Sequence, residues 1–236
     1  MKGLYIFSWL LIGININCSN KFSCNEFEKN YQDIINESEG DTLVLLNYLN
    51  SFISKEANCN KAYLKKGDLL FHLDNLPLSA EQFRIVIARD STNTVALFKL
   101  GQILQYQEKY DSSIFFLKQA IYTKINPDGA IVNYHKTEGI YDEYSAGDID
   151  YYQIALSLGE SYYFNRELSK AESLFDDCFK NKFNIDEVSF YLGLVKLESM
   201  KKDSACYYFN IAKKEGYSEA FRFVEKYCIG KSPISW

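Results

Sequence analysis

The sequence predicts an all-α protein built from antiparallel pairs of helices that follow one another along the chain. Four glycines carry this prediction: Gly67 and Gly101 lie 34 residues apart, and Gly159 and Gly193 have the same spacing. Only 3 Pro and 12 Gly occur among 236 residues, so turns are few and helices are favoured over many short strands. Within the intervals marked by the glycines, apolar residues recur at helical spacing.

The glycines set one register for four repeats. The gap of 58 residues between Gly101 and Gly159 equals one 34-residue period plus an insertion of 24 residues. Counted so that glycine occupies position 8, the repeats begin at Asn60, Thr94, Tyr152 and Asp186. Position 20 then holds only small residues, namely Ser79, Ser113, Ala171 and Ala205. Position 24 holds only large apolar residues, namely Phe83, Leu117, Phe175 and Phe209.

This register resembles the tetratricopeptide repeat (TPR), a 34-residue motif with glycine at position 8. The resemblance implies a right-handed superhelical array, or α-solenoid, in which each repeat contributes a helix A and a helix B. Small residues at positions 8 and 20 let the two helices approach closely, and the residue at position 24 fills the space before the next repeat. The sequence departs from the motif in lacking Trp at position 4 and Pro at position 32.

The first 19 residues have the features of an export signal. Residues 3–16 are almost wholly apolar but fall short of the roughly 20 residues that cross a bilayer. Cys18 follows at once, which resembles the acylated cysteine of bacterial lipoproteins, although Asn17 stands where that pattern has a small residue. Three interpretations stay open: a lipid anchor at Cys18, a freely exported protein of the periplasm, and a buried core helix.

The remaining segments follow from the repeat boundaries. Residues 20–59 contain two apolar helical patterns and are predicted to form a helical cap or degenerate repeat. The further segments are repeats 1 and 2 over 60–127, an acidic, Tyr-rich insertion over 128–151, repeats 3 and 4 over 152–217, a capping helix over 218–229 and a tail over 230–236. The insertion is either part of a binding face or a surface loop without a role.

Export makes the cysteines candidates for disulfides. No C-x-x-C spacing occurs, so neither a zinc site nor a dithiol redox site is indicated. Cys24 and Cys59 bracket the first helical segment, and Cys206 and Cys228 lie on successive predicted helices. These two pairs are the candidate disulfides, and free buried thiols are the alternative for each.

Charge and motifs argue against several functions. The net charge is −5 and no Lys or Arg run exceeds two residues, so the concentrated positive charge of nucleic-acid binding is missing. We find no nucleophile elbow, phosphate-binding loop or metal-ligand spacing. We therefore expect no catalytic residue, no cofactor and no metal, and contact with a membrane only through Cys18. An enzyme with an unrecognised site in the insertion is the alternative.

The resemblance implies that helix A of each repeat lines a concave groove that binds a protein or peptide. Known clamps for a C-terminal carboxylate use Lys, Arg and Asn there, and Leu64, Asp68 and Gln102 depart from that pattern. A partly hydrophobic or basic segment is the expected partner. Two alternatives stay open: the aromatic residues only pack against neighbouring repeats, or the chain is a structural subunit of an envelope assembly or secretion complex. The candidate groove residues are Leu64, Asp68, Phe71, Phe98, Gln102, Tyr106, Leu156, Glu160, Tyr163, Phe190 and Leu194.

Overall fold

The computed structural model describes residues 23–125 and 149–228, which contain eleven α-helices and no β-strand. The chain divides after Cys59 into two compact units. The described part of the chain has no helix whose length and apolar character would let it span a membrane. Cys18, most of the predicted insertion and the predicted tail lie outside the described residues.

The first unit is a helical hairpin formed by α1 (Phe27–Glu37) and α2 (Thr42–Lys55). Asp41 caps α2 because its carboxylate accepts hydrogen bonds from the backbone amides at the start of that helix. Phe27 and Phe52 are buried, with ring centroids 4.9 Å apart. A disulfide joins Cys24 to Cys59, the first of the two candidate pairs. That this unit caps the array stays a prediction.

The second unit contains four helix pairs. The prediction of an all-helical repeat array is confirmed, because the first helix of every pair begins within one residue of the predicted start. The pairs are α3 (Asn60–His72) with α4 (Leu76–Arg89), α5 (Thr94–Tyr106) with α6 (Tyr110–Tyr122), α7 (Tyr151–Phe164) with α8 (Leu168–Lys180), and α9 (Ile185–Glu198) with α10 (Lys202–Lys214). Asp150 caps α7, and Tyr151, the last residue of the predicted insertion, is the first residue of that helix.

The glycine of each repeat permits close approach of its two helices. A Cβ atom placed on Gly193 would lie 2.5 Å from the ring of Phe209, and Gly159 bears the same relation to Phe175 at 2.6 Å. The side chain at position 24 therefore sits on the glycine of its own repeat. Phe175 also stacks on Tyr191 of the following repeat at 5.2 Å. This residue therefore packs both within its own repeat and against the next one, and only the second contact was predicted.

A serine hydroxyl adds a hydrogen bond to this contact in the first two repeats. Ser79 Oγ donates to the carbonyl of Gly67, and Ser113 Oγ donates to the carbonyl of Gly101, both at 2.8 Å. Repeats 3 and 4 have alanine at this position and keep only the close packing. The requirement shared by all four repeats is thus small size, and the hydroxyl is an addition.

The turn inside each pair has a recurrent backbone conformation that the sequence analysis did not predict. Position 15 has a positive φ in all four repeats, between 57° and 64°. The amide after it donates to the carbonyl five residues earlier, as Lys201 does to Lys196 at 2.9 Å, which is the hydrogen bond that closes many helix ends. None of the four residues is the Gly or Asn that usually adopts this conformation. They are Asp74, Glu108, Arg166 and Met200.

The last described segment continues the array with α11 (Ser218–Phe223) and a π-helical turn, Val224–Cys228. Val224 of this segment packs against repeat 4, whereas Phe221 is 45% exposed. Phe223 packs against repeat 4 as well, with its ring 5.1 Å from those of Phe190 and Phe209. A second disulfide joins Cys206 of α10 to Cys228.

Candidate functional site

The first helices of successive pairs contact one another and form a continuous surface. We call the surface of α3, α5, α7 and α9 the first-helix face. Side chains bridge each pair of neighbouring helices across it, so groups from different repeats are held at fixed separations. The bridges are an aromatic contact of Phe71 with Tyr106 at 5.5 Å, a hydrogen bond of Gln105 with Glu160 at 2.7 Å and a hydrogen bond of Tyr163 with Glu198 at 2.6 Å.

The predicted groove residues divide by burial. The four at position 5 are at most 7% exposed and belong to the packed interior: Leu64, Phe98, Leu156 and Phe190. Six others are half-buried and line the face: Asp68, Phe71, Gln102, Glu160, Tyr163 and Leu194. Tyr106 is 69% exposed. The surface open to a partner is therefore built from positions 9, 12 and 13, because position 5 turns toward the neighbouring helices.

At the α3 and α5 end of the face, charge is balanced internally. Lys99 Nζ lies 3.0 Å from Asp68 Oδ1 and also sits over the ring of Phe71, 5.9 Å from its centroid. Tyr106 packs edge-on against the same ring. This end therefore presents aromatic surface beside a neutralised carboxylate, which suits an apolar or aromatic group of a partner.

At the centre of the face lies a carboxylate whose hydrogen-bond partners within residues 23–125 and 149–228 are neutral. Glu160 accepts a hydrogen bond from Gln105 Nε2 at 2.7 Å and another from the hydroxyl of Tyr191. Burial raises the pKa of Glu160 to about 7, and the nearby negative charge of Glu187 adds to the shift while the two hydrogen bonds oppose it. At neutral pH this carboxyl group is therefore close to half protonated.

Glu187, Tyr191 and Tyr217 complete the surroundings of Glu160, and none of the three is among the predicted groove residues. Burial, and after it the charge of Glu160, raises the pKa of the Tyr191 hydroxyl. Burial and then Glu187 raise the pKa of Tyr217 to about 12. Tyr191 occupies position 6, which is not a groove position in the resemblance, and Tyr217 lies in the turn after α10. Only the spatial arrangement brings them together.

Beyond this centre, a second carboxylate of the face is neutralised. Glu198 accepts a hydrogen bond from the hydroxyl of Tyr163 and pairs with Arg166 at 2.7 Å. Tyr163 also contacts the edge of Tyr191, with centroids 6.0 Å apart. Asp68 and Glu198 thus each pair with a cation of this chain, whereas the described partners of Glu160 are an amide and a phenol.

Two further features of the described residues concern metal ligands and thiols. Nowhere in residues 23–125 and 149–228 do three His, Cys, Asp or Glu side chains come together as metal ligands would. The free thiol of Cys178 is buried, and burial raises its pKa to about 12, which makes it a poor nucleophile.

The comparisons with known proteins concern the fold. No protein-family model matches the sequence, and no curated protein matches it. Among solved structures, YrrB is similar with a TM-score of 0.65 and 12% identity, over 88% of this chain and 94% of that one. PilF of Pseudomonas aeruginosa is similar with a TM-score of 0.63 and 16% identity, over 86% and 85%.

MamA of Desulfovibrio magneticus RS-1 is similar with a TM-score of 0.63 and 14% identity, over 84% of this chain and 98% of that one. YrrB is described as a TPR protein with an unusual peptide-binding site. The similarities extend over most of every chain compared, and the 34-residue register of this sequence agrees with them. The chain therefore has a TPR-like, all-helical repeat fold.

Proposed function

We propose that this chain is a non-catalytic interaction scaffold that binds a peptide or protein segment along the first-helix face. The observation that carries the proposal is the continuity of that face across four helix pairs, with aromatic, amide and carboxylate groups open to a partner. Tyr106 is 69% exposed at one end of it. Large exposed aromatic side chains contribute strongly to interfaces, because they bury much area at little cost in conformational entropy.

The similarity to YrrB supports the same proposal. YrrB shares the fold and is a TPR protein with a peptide-binding site. An extended or helical segment is a suitable occupant because the face runs over α3, α5, α7 and α9 and offers contacts at regular intervals. Binding there needs no rearrangement of the packed interior, since position 5 supplies the core and positions 9, 12 and 13 supply the contacts.

Photo-crosslinking in the producing cells tests this proposal. A benzophenone amino acid in place of Tyr106 places the reactive group on the first-helix face. The same residue in place of Tyr207, which is 60% exposed on α10, is the matched control on a second helix. We expect a crosslinked adduct with another protein at position 106 and none at position 207. Adducts at position 207 alone would contradict the proposal.

We also propose that the chain acts after export, at the cell envelope. The apolar residues 3–16 and the cysteine at position 18 support export, and the disulfides Cys24–Cys59 and Cys206–Cys228 suit an oxidising compartment. Mass spectrometry of the mature protein distinguishes a lipid-anchored protein from a free exported one. A diacylglycerol-modified Cys18 at the new N-terminus supports a lipid anchor, cleavage elsewhere without lipid supports a free exported protein, and an intact N-terminus contradicts both.

A further inference from the structure

We propose that the surroundings of Glu160 form a pocket that receives the cationic side chain, Lys or Arg, of the bound segment. The pocket, which we call the Glu160 pocket, consists of Glu160, Glu187, Gln105, Tyr191 and Tyr217. The inference rests on the proposed function, because it specifies the chemistry of a segment bound on the first-helix face. It adds what that proposal leaves open, namely which residue type the partner must carry.

The charge distribution of the face supports a cationic occupant. Two of its carboxylates have internal cations, Asp68 with Lys99 at 3.0 Å and Glu198 with Arg166 at 2.7 Å. Within the described residues Glu160 has no cation as a partner; it accepts hydrogen bonds from Gln105 and Tyr191 and has Glu187 as its charged neighbour. Among the described residues, the flanking carboxylates are thus neutralised, whereas the central one, Glu160, has no positive partner.

Because Glu160 is largely buried, a positive group of the partner placed beside it would contribute substantially to the binding free energy. A carboxylate removed from water loses solvation, and hydrogen bonds from neutral groups replace only part of it. A positive group at the pocket would interact with Glu160 in surroundings of lower polarity, where a charge pair is stronger than at an open surface. Glu160 keeps partial exposure, so a side chain arriving from solvent has access to it.

The aromatic groups of the pocket suit the same occupant. The ring of Tyr191 stacks on Phe175 at 5.2 Å and contacts Tyr163 edge-on at 6.0 Å. Tyr217 packs on Phe190 with a centroid distance of 4.8 Å. Phenol rings fixed beside carboxylates bind ammonium and guanidinium groups through the ring face as well as through charge. A neutral or acidic side chain would gain from neither.

A peptide selection tests the inference with the full chain. Random twelve-residue peptides displayed on phage are selected on the immobilised protein, and the best binder is synthesised with its Lys or Arg intact or replaced by norleucine. For the wild-type chain, we expect selected peptides to share a Lys or Arg and norleucine to weaken binding at least about tenfold. For the double variant Glu160→Gln with Glu187→Gln, the same replacement changes the affinity by about twofold or less.

The control is Glu81→Gln, which removes the same charge from an exposed position on α4 and is expected to behave as the wild type. Circular dichroism establishes that every variant is folded. An equal loss of affinity on norleucine replacement in the wild type and the double variant overturns the inference. Selected peptides without Lys or Arg also overturn it, as does binding that requires Ca²⁺ and disappears with EDTA. In each of these cases the proposed function survives if Tyr106→Ala still weakens the peptide, and it fails if no peptide contacts the first-helix face.

Discussion

Among single side chains, Glu160 has the clearest consequence for stability. Burial raises the pKa of Glu160 in the folded chain to about 7, whereas its ordinary value is 4.5. The folded state therefore binds a proton more tightly than the unfolded state. The resulting stabilisation is complete below the ordinary value and is lost as pH rises through about 7. Burial raises this pKa, the charge of Glu187 adds to the shift, and the hydrogen bonds from Gln105 and Tyr191 oppose it.

We predict that Glu160→Gln abolishes this pH dependence. Relative to that variant, the wild type should lose about 2 kcal/mol of unfolding free energy between pH 5 and pH 8. Urea denaturation of both proteins at several pH values measures the difference. Glu81→Gln, which alters an exposed carboxylate, should show no such change. A constant difference between wild type and Glu160→Gln across this range would mean that Glu160 titrates normally.

Among the structural elements, the turn inside each helix pair depends on a left-handed residue that is never glycine. Met200 has a φ of 59° and is 91% exposed. A side chain in this conformation costs about 1 kcal/mol, and glycine avoids that cost while making the unfolded chain slightly more flexible. The sequence carries no Gly or Asn at these positions, which is why the turn conformation could not be predicted from it.

We predict that Met200→Gly raises the free energy of unfolding by about 0.5 to 1 kcal/mol. Met200→Ala keeps the Cβ atom and is the matched control, with no gain expected. Thermal or urea unfolding of the wild type and the two variants measures the difference in their free energies of unfolding. A gain from alanine as large as that from glycine would show that removing the exposed Met side chain, and not the backbone conformation, is responsible.

The contact between the two helices of a repeat requires a glycine, whereas the turn that joins them has none. Alanine is the better helix former by about 1 kcal/mol, but a Cβ atom on Gly193 would lie 2.5 Å from Phe209. We predict that Gly193→Ala lowers the free energy of unfolding by about 1 to 2 kcal/mol. Ser204→Ala, at an exposed position of α10, should change it by less than about 0.5 kcal/mol. An unchanged or more stable Gly193→Ala would exclude a packing role for this glycine.

For the molecule as a whole, the sequence was sufficient to predict the repeat architecture. Glycine at position 8 and small residues at position 20 are required wherever two helices pack this closely, so their spacing identified every pair. The proposed binding surface was less predictable. Positions 5 and 9 both belong to helix A, yet Phe98 is 5% exposed whereas Glu160 opens to the face. Tyr191 and Tyr217 join Glu160 only through packing between repeats, which spacing along the chain does not reveal.

The most direct test of a binding surface on the first helices is to map a bound peptide onto the chain. Amide chemical shifts of the labelled protein, recorded with and without a peptide selected on it, report which helices the peptide touches. We predict that the largest changes cluster on α5, α7 and α9, around Tyr106, Glu160 and Tyr191. Changes confined to α4, α6, α8 and α10, with the first helices unaffected, would contradict the proposed binding surface.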